Sequence, residues 1–242
     1  PASGTPNAME SFMQEMREKI KIASKAKVRA LPLKSAKAPG LSKIPSVINA
    51  GEDIVIAIGA STGGTEAIIE VVKDLPPTTP GIVIVQHMPA NFTKLYAQRL
   101  DRICKMEVKE AEDYDRLYPG RIILAAGDYH MTVKKDAGGY FIRSRQGEKV
   151  SGHCPSVDVL FDSVAEAAGS KAIGVLLTGM GADGAKGLLN IRRRGGYTIG
   201  QDRESCVVYG MPMEAMKLGA VTKELPVDQI ANEIVAYLTK KK

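Results

Sequence analysis

A strand, a tight turn and a helix lie in succession at residues 53–74, and this unit limits the folds open to the chain. Residues 53–58 (Asp-Ile-Val-Ile-Ala-Ile) are mostly apolar and β-branched, which predicts a buried strand. Residues 64–74 carry apolar side chains at helical spacing, which predicts a helix packed on that strand. Such a unit is typical of proteins in which strands and helices alternate.

The same alternation continues towards the C-terminus. We therefore predict an α/β fold: a doubly wound, largely parallel open sheet with helices on both faces. The predicted strands are 53–58, 81–86, 121–125, 172–178 and 196–200, and the predicted helices are 64–74, 92–104, 156–168, 184–194 and 227–239. An added β-hairpin is predicted because His130–Lys134 and Tyr140–Arg143 flank the turn residues Asp136–Gly139.

The first 50 residues differ in charge from the rest of the chain. They hold nine lysines and arginines against three acidic residues, whereas residues 51–242 hold 24 of each. Apolar spacing predicts an amphipathic helix over residues 9–27, and the prolines of residues 30–50 predict a linker. Such a helix either packs on its own domain or docks on a neighbour. We divide the chain into a basic arm, residues 1–50, and a globular domain, residues 51–242.

Composition argues against several classes of protein. A basic arm beside a neutral domain without tryptophan argues against nucleic-acid binding. No apolar run is long enough for membrane insertion, and no secretory leader is expected. The three cysteines, Cys104, Cys154 and Cys206, are scattered, which predicts neither a disulfide framework nor a zinc site and indicates a cytoplasmic location.

The turn after the first predicted strand reads Gly59-Ala60-Ser61-Thr62-Gly63, which matches the G-x-S-x-G nucleophile elbow. In that turn a serine hydroxyl stands above the sheet edge, and N–H groups at the helix start face the reacting centre. A phosphate or dinucleotide loop and a plain tight connection remain alternatives. Against the first, Ser61 occupies the position of the middle glycine in the dinucleotide fingerprint, and the lysine of a P-loop is missing.

Three reactive side chains follow strands of the predicted sheet. Ser61 follows the first strand, His87 follows the second, and Asp183 lies in a glycine-rich loop after the strand 172–178. Because the carboxyl ends of parallel strands share one edge, this pattern favours a nucleophile, a general base and an orienting acid. A solvated loop histidine and a helix N-cap aspartate remain the alternatives. The chain order Ser-His-Asp differs from that of the α/β-hydrolases.

Four segments together carry a resemblance to a known family. They are Gly59–Thr65, Gln86–Pro89, Pro155–Asp158 and Leu177–Gly184. In order and spacing they resemble the catalytic domain of the CheB-type protein-glutamate methylesterases of bacterial chemotaxis, over about residues 53–239. The resemblance implies a cytoplasmic serine hydrolase that demethylates glutamate methyl esters on chemoreceptor helices. It also implies possible deamidation of receptor glutamines.

The resemblance further implies the roles of individual residues. Ser61, His87 and Asp183 match the catalytic triad, while Thr62 and Met180 match the residues whose backbone N–H groups form the oxyanion hole. No metal or organic cofactor is implied. The implied partners are the methylated cytoplasmic domain of a chemoreceptor and, in a full-length protein, a receiver domain. Residues 1–50 are too few for a receiver domain, so they resemble the end of an interdomain linker.

Overall fold

A seven-stranded parallel sheet forms the centre of the fold. The computed structural model describes Ile44, Val47, Ile48 and residues 53–240. The strands in this part of the chain are β1 (Val55–Ala60), β2 (Ile82–Gln86), β3 (Glu107–Glu110), β4 (Arg116–Leu117), β5 (Arg121–Leu124), β6 (His130–Asp136), β7 (Gly139–Arg145), β8 (Ala172–Leu176), β9 (Tyr197–Gln201) and β10 (Lys223–Leu225). The parallel sheet has the order β10-β9-β8-β1-β2-β5-β3, and an antiparallel sheet has the order β4-β7-β6.

Two layers of helices cover the parallel sheet. The helices are α1 (Gly64–Val72), α2 (Phe92–Ile103), α3 (Val157–Ala168), α4 (Ala185–Arg193), α5 (Met211–Lys217) and α6 (Val227–Lys240), with a 3₁₀ turn at Gly169–Lys171. The apolar faces of α1, α2 and α6 share one hydrophobic core, and those of α3, α4, α5 and the antiparallel sheet share the other. Within the described ranges, none of these helices has both the length and the apolar character needed to cross a membrane.

Strands β1 and β8, at the centre of the sheet, are apolar along their whole length because both of their faces are covered. In β1, Ile56 and Ile58 enter the first core, whereas Val55 and Ala57 enter the second. This alternation follows from the two-residue period of a strand. A run without polar interruption is therefore what a central parallel strand requires.

The predicted fold class is confirmed, including the hairpin, which is formed by β6 and β7. The sequence analysis did not identify β3, β4, β10 and α5, all of which are short. The first three lie at sheet edges, where charged residues such as Glu107 and Lys109 replace the apolar pattern.

The predicted helix 9–27 lies outside the described residues, as does the predicted linker 30–50 apart from Ile44, Val47 and Ile48. Ile48 is buried in the first core, and its N–H donates to Thr78 Oγ1 at 2.7 Å.

The strand order changes direction beside β1. From β1 the chain continues to β2 on one side, and later elements add β8 on the other. Helix α1 covers the first core and α4 covers the second, so a crevice opens at the carboxyl ends of β1 and β8. In open α/β sheets ligands bind in this crevice.

Candidate active site

Ser61 lies directly after β1, at the carboxyl edge of the sheet. Its N–H donates to Thr178 O at 3.0 Å, which joins the turn to the segment following β8. Its carbonyl accepts from the N–H of Gly64 at 2.8 Å, which closes the tight turn into α1. Ser61 itself is half-buried.

Two glycines of the elbow allow neighbouring segments to approach it closely. A Cβ atom on Gly59 would lie 2.2 Å from Val157 Cγ1, at the start of α3. Gly63 has φ 81° and caps α1, and a Cβ atom there would lie 2.5 Å from Val207 Cβ. A larger residue at either position would push these segments away from Ser61.

His87 lies beside Ser61 on the neighbouring strand. Ala60 is paired with Gln86 in register, and the His87 N–H donates to Ala60 O at 3.1 Å. Ser61 and His87 are the next residues of these two strands, so their backbones are roughly 5 Å apart. The buried Gln86 amide donates to Ser61 O at 2.9 Å and to His87 O at 3.1 Å, which fastens the two residues together.

Asp183 completes a buried pair with His87. The His87 Nε2 and Asp183 Oδ2 atoms are 2.8 Å apart, and the two side chains are 7% and 1% exposed. Hydrogen bonding to a carboxylate places a proton on Nε2, so in the neutral ring Nδ1 is the basic nitrogen. Nδ1 is buried and has no hydrogen-bond partner among the described residues.

The carboxylate of Asp183 also caps helix α3. Oδ2 accepts from the Val157 N–H at 2.7 Å, while Oδ1 accepts from Ser156 Oγ at 2.7 Å and from the Asp158 N–H at 3.0 Å. Burial alone would raise the pKa of Asp183, but the hydrogen bonds from His87 and from the start of α3 hold it below its usual value. Asp183 is therefore ionised at neutral pH, as an orienting acid must be.

A second aspartate caps the helix that follows Asp183. Asp158 Oδ1 accepts from the Gly187 N–H, in the first turn of α4, at 2.8 Å. Asp183, which precedes α4, thus caps α3, and Asp158, which lies in α3, caps α4. Burial raises the pKa of Asp158, and the nearby Asp183 adds to that rise. The two reciprocal caps fix the position of Asp183 relative to both helices.

The two backbone groups expected to bind an oxyanion lie on loops that are joined to each other. In the described part of the chain, the N–H groups of Thr62 and Met180 donate no hydrogen bond. The Thr178 hydroxyl donates to Thr62 O at 3.0 Å, and a Cβ atom on Gly179 would lie 2.7 Å from Ser61 Cβ. Both N–H groups are thus close to Ser61 in the fold and available. The Met180 side chain is 68% exposed.

The two other histidines of the chain also belong to this network. The ring of His153 stacks on that of His87, with centroids 3.7 Å apart and planes 11° apart. His130 Nδ1 accepts from the Ser156 N–H at 3.3 Å. These contacts join segments that are distant in the chain, so the sequence pattern gives no signal for them. Arg145, at the end of β7, pairs with Asp113 and takes no part in this network.

A cleft of about 360 Å³ opens beside His87 and His153. Asp128 and Lys149 contribute charged groups to its wall. The cleft has room for a substrate side chain next to the imidazole pair. No group of three or more histidine, cysteine or acidic side chains able to hold a metal occurs among the residues described.

A doubly wound parallel sheet with a serine, a buried His–Asp pair and available N–H groups at its carboxyl edge has the features of a serine hydrolase. Residues 56–234 match the family model described as CheB methylesterase. The chain belongs to this family and is a hydrolase.

Similar proteins include two curated relatives and one solved structure. A protein-glutamate methylesterase/protein-glutamine glutaminase of Syntrophomonas wolfei is 52% identical, over 96% of this chain and 67% of its own length. One of the same description from Pseudomonas aeruginosa is 45% identical, over 100% and 68%. The crystal structure of the Thermotoga maritima CheB methylesterase catalytic domain has a TM-score of 0.74 and 39% identity, over 78% of this chain and 99% of that one.

Proposed function

We propose that this chain demethylates glutamate methyl esters on the cytoplasmic helices of chemoreceptors, through an acyl-enzyme formed on Ser61. The observation that carries the proposal is the buried His87–Asp183 pair, which leaves Nδ1 of His87 without a hydrogen-bond partner among the described residues, at the end of the strand next to that of Ser61. The names of the relatives supply the substrate class.

In the first step, Ser61 Oγ attacks the ester carbonyl carbon while Nδ1 of His87 accepts the hydroxyl proton. Asp183 remains ionised and stabilises the resulting imidazolium. The N–H groups of Thr62 and Met180 stabilise the oxyanion, each contributing roughly 3 kcal/mol. The bond to the methoxy oxygen then breaks, and Nδ1 returns the proton to it, which releases methanol.

In the second step, a water molecule replaces methanol. His87 takes a proton from this water as its oxygen attacks the glutamyl-serine ester, and the bond to Ser61 Oγ breaks. The proton passes to Oγ, so the serine is restored and the product is a glutamate carboxylate. In this scheme Nδ1 of His87 accepts and returns the proton in every step.

The same sequence of steps would deamidate glutamine, with ammonia in place of methanol. The relatives carry both activities in their names. We propose this second reaction for the same residues, since only the leaving group changes. The proposed setting is the cytoplasm, and the proposed partner is the methylated chemoreceptor. A receiver domain joined through residues 1–50 would regulate the catalytic domain at residues 51–242.

The decisive experiment compares methanol release from methylated receptor by this chain and by its Ser61→Ala variant. We expect the variant to lose at least about 10⁴-fold in rate, because the nucleophile is absent. Ser144→Ala, on β7 and outside the site, is the matched control and should retain full activity. Equal release from the wild-type chain and Ser61→Ala would contradict the proposed mechanism, and absence of release from the wild-type chain would contradict the proposed substrate.

A further inference from the structure

A two-residue hairpin holds His153 over the ring of His87. The N–H and carbonyl groups of Val150 and His153 exchange hydrogen bonds, both of 3.0 Å. Between them, Ser151 has φ 53° and Gly152 has φ 82°. Positive φ at both central residues is the type I′ arrangement, which joins strands with little freedom. His153 is therefore set in place by its backbone as well as by its ring.

The chain that follows His153 leads directly to the cap of Asp183. Ser156, three residues later, donates its hydroxyl to Asp183 Oδ1 at 2.7 Å, and its N–H donates to His130 Nδ1. One short segment thus contacts His87 through His153 and Asp183 through Ser156. The distance and angle between the two stacked rings are fixed by the same segment that fixes the acid.

Stacking of two imidazoles has a chemical consequence for the proton transfer. Two rings 3.7 Å apart repel each other when both are charged. A neutral ring over His87 instead covers one face of it, restricts its rotation, and presents a π-surface to the imidazolium that forms when His87 takes a proton. The arrangement suits a base that must become charged in a single orientation.

The surroundings of His153 favour its neutral form. Burial lowers the pKa of His153, and the charge of His87 and that of Lys149 lower it further, against the opposing effect of Asp183. The groups that face His153 or share the cleft with it are His87, Asp183, Lys149, Asp128 and Cys154.

We propose that His153 is a positioning residue for the reaction: its neutral ring, stacked on His87, holds the plane of the base and keeps water from one of its faces. The inference rests on the proposed function, because it assigns to His87 the role of the base. It predicts that a planar apolar ring can replace His153, whereas a small side chain cannot.

The test measures how fast a fluorophosphonate labels Ser61, which requires no receptor. Ser61 Oγ displaces fluoride from phosphorus, and His87 accepts the hydroxyl proton. We expect His153→Ala to label roughly tenfold more slowly than the wild-type chain at neutral pH, and His153→Phe to label within about threefold of it.

Controls separate this role from a general loss of structure. Phe141→Ala removes one ring of the stacked Tyr114–Phe141 pair in the antiparallel sheet and should label at the wild-type rate. Thermal unfolding of each variant shows that it is folded, and Ser61→Ala should not be labelled.

The outcomes distinguish this inference from the proposed function. Equal labelling by His153→Ala and the wild-type chain at neutral pH would overturn the inference, as would a His153→Phe variant no faster than His153→Ala. Labelling that follows the expected order in a chain that releases no methanol from receptor would support the role of His153 and contradict the substrate. Absence of labelling in the wild-type chain would overturn both.

Discussion

The replacement of Asp183 by asparagine should weaken the fold as well as the proposed chemistry. Each carboxylate oxygen of Asp183 accepts two hydrogen bonds: Oδ2 from His87 and Val157, Oδ1 from Ser156 and Asp158. Asparagine offers only one oxygen, and its NH₂ group would face a backbone N–H in either orientation. At least one backbone donor at the start of α3 is therefore left without its acceptor.

The magnitude follows from these contacts. A hydrogen bond to a charged group contributes about 1.5–3 kcal/mol, and a negative charge at a helix N-terminus about 0.3–1 kcal/mol. We expect Asp183→Asn to lower the free energy of unfolding by about 2–4 kcal/mol at pH 7. For a domain of this size that corresponds to a fall in Tm of about 5–15 °C.

The effect should depend on pH in a defined direction. The folded protein lowers the pKa of Asp183, so its stabilising contribution is fully present above the pKa of aspartate in the unfolded chain, about 3.9. That contribution is lost as the pH falls through the lower value of the folded state. The difference between Asp183→Asn and the wild-type chain should therefore shrink below about pH 4.

Urea denaturation at pH 7 and at lower pH measures both effects. Asp162→Asn is the matched control, because Asp162 also lies on α3 but is exposed, and among the described residues its carboxylate accepts a hydrogen bond from the Asn190 amide alone. Its effect should stay within about 0.5 kcal/mol. A variant at position 183 as stable as the wild-type chain would refute the reasoning, since the acid would then not stabilise α3.

Two further variants test the packing of the site. Gly59→Ala places a Cβ atom 2.2 Å from Val157 Cγ1 and should lower the free energy of unfolding by about 1–3 kcal/mol. Gly138→Ala should have little effect in the same urea titration, because its Cβ atom would lie 3.2 Å or more from the nearest atoms, which are the ends of the exposed Arg116 and Asp136 side chains. Gln86→Leu removes the hydrogen bonds that the Gln86 side-chain amide donates to Ser61 O and His87 O. We therefore expect the free energy of unfolding to fall by about 1–2 kcal/mol and methanol release to slow, with the exposed Gln98→Leu as the control. A Gln86→Leu chain of normal stability and activity would show that this amide does not position the two residues.

Long, buried elements could be predicted from the sequence because their patterns are set by local rules. The strand that becomes β1 and the helix that becomes α1 have uninterrupted apolar periodicity, and the predicted bounds fall within two residues of the observed ones. Strand β10, by contrast, has three residues, Lys223–Leu225, two of them exposed, and in the described part of the chain it pairs with β9 alone. Its existence depends on a neighbour that is 22 or more residues away, which periodicity does not record.

Some features of the candidate site could likewise be predicted from the sequence, and others could not. The placement of Ser61, His87 and Asp183 after strands could be predicted, because strand ends in a parallel sheet share one edge. The contributions of Gln86, His153 and Ser156 could not, since each depends on contacts between distant segments. The one signal available for Gln86 is that it is a polar residue in an otherwise apolar, buried strand.

The three reactive residues come from three adjacent central strands, and this arrangement ties enzymatic competence to one part of the folding process. His87 and Asp183 are 96 residues apart in the chain, so they meet only after β1 has paired with both β2 and β8. Strands β3 and β10 lie at the two edges of the sheet, outside this group of three strands. On the proposed mechanism, loss of turnover would report loss of pairing among the three central strands, whereas loss of pairing at the edges alone would leave turnover unchanged.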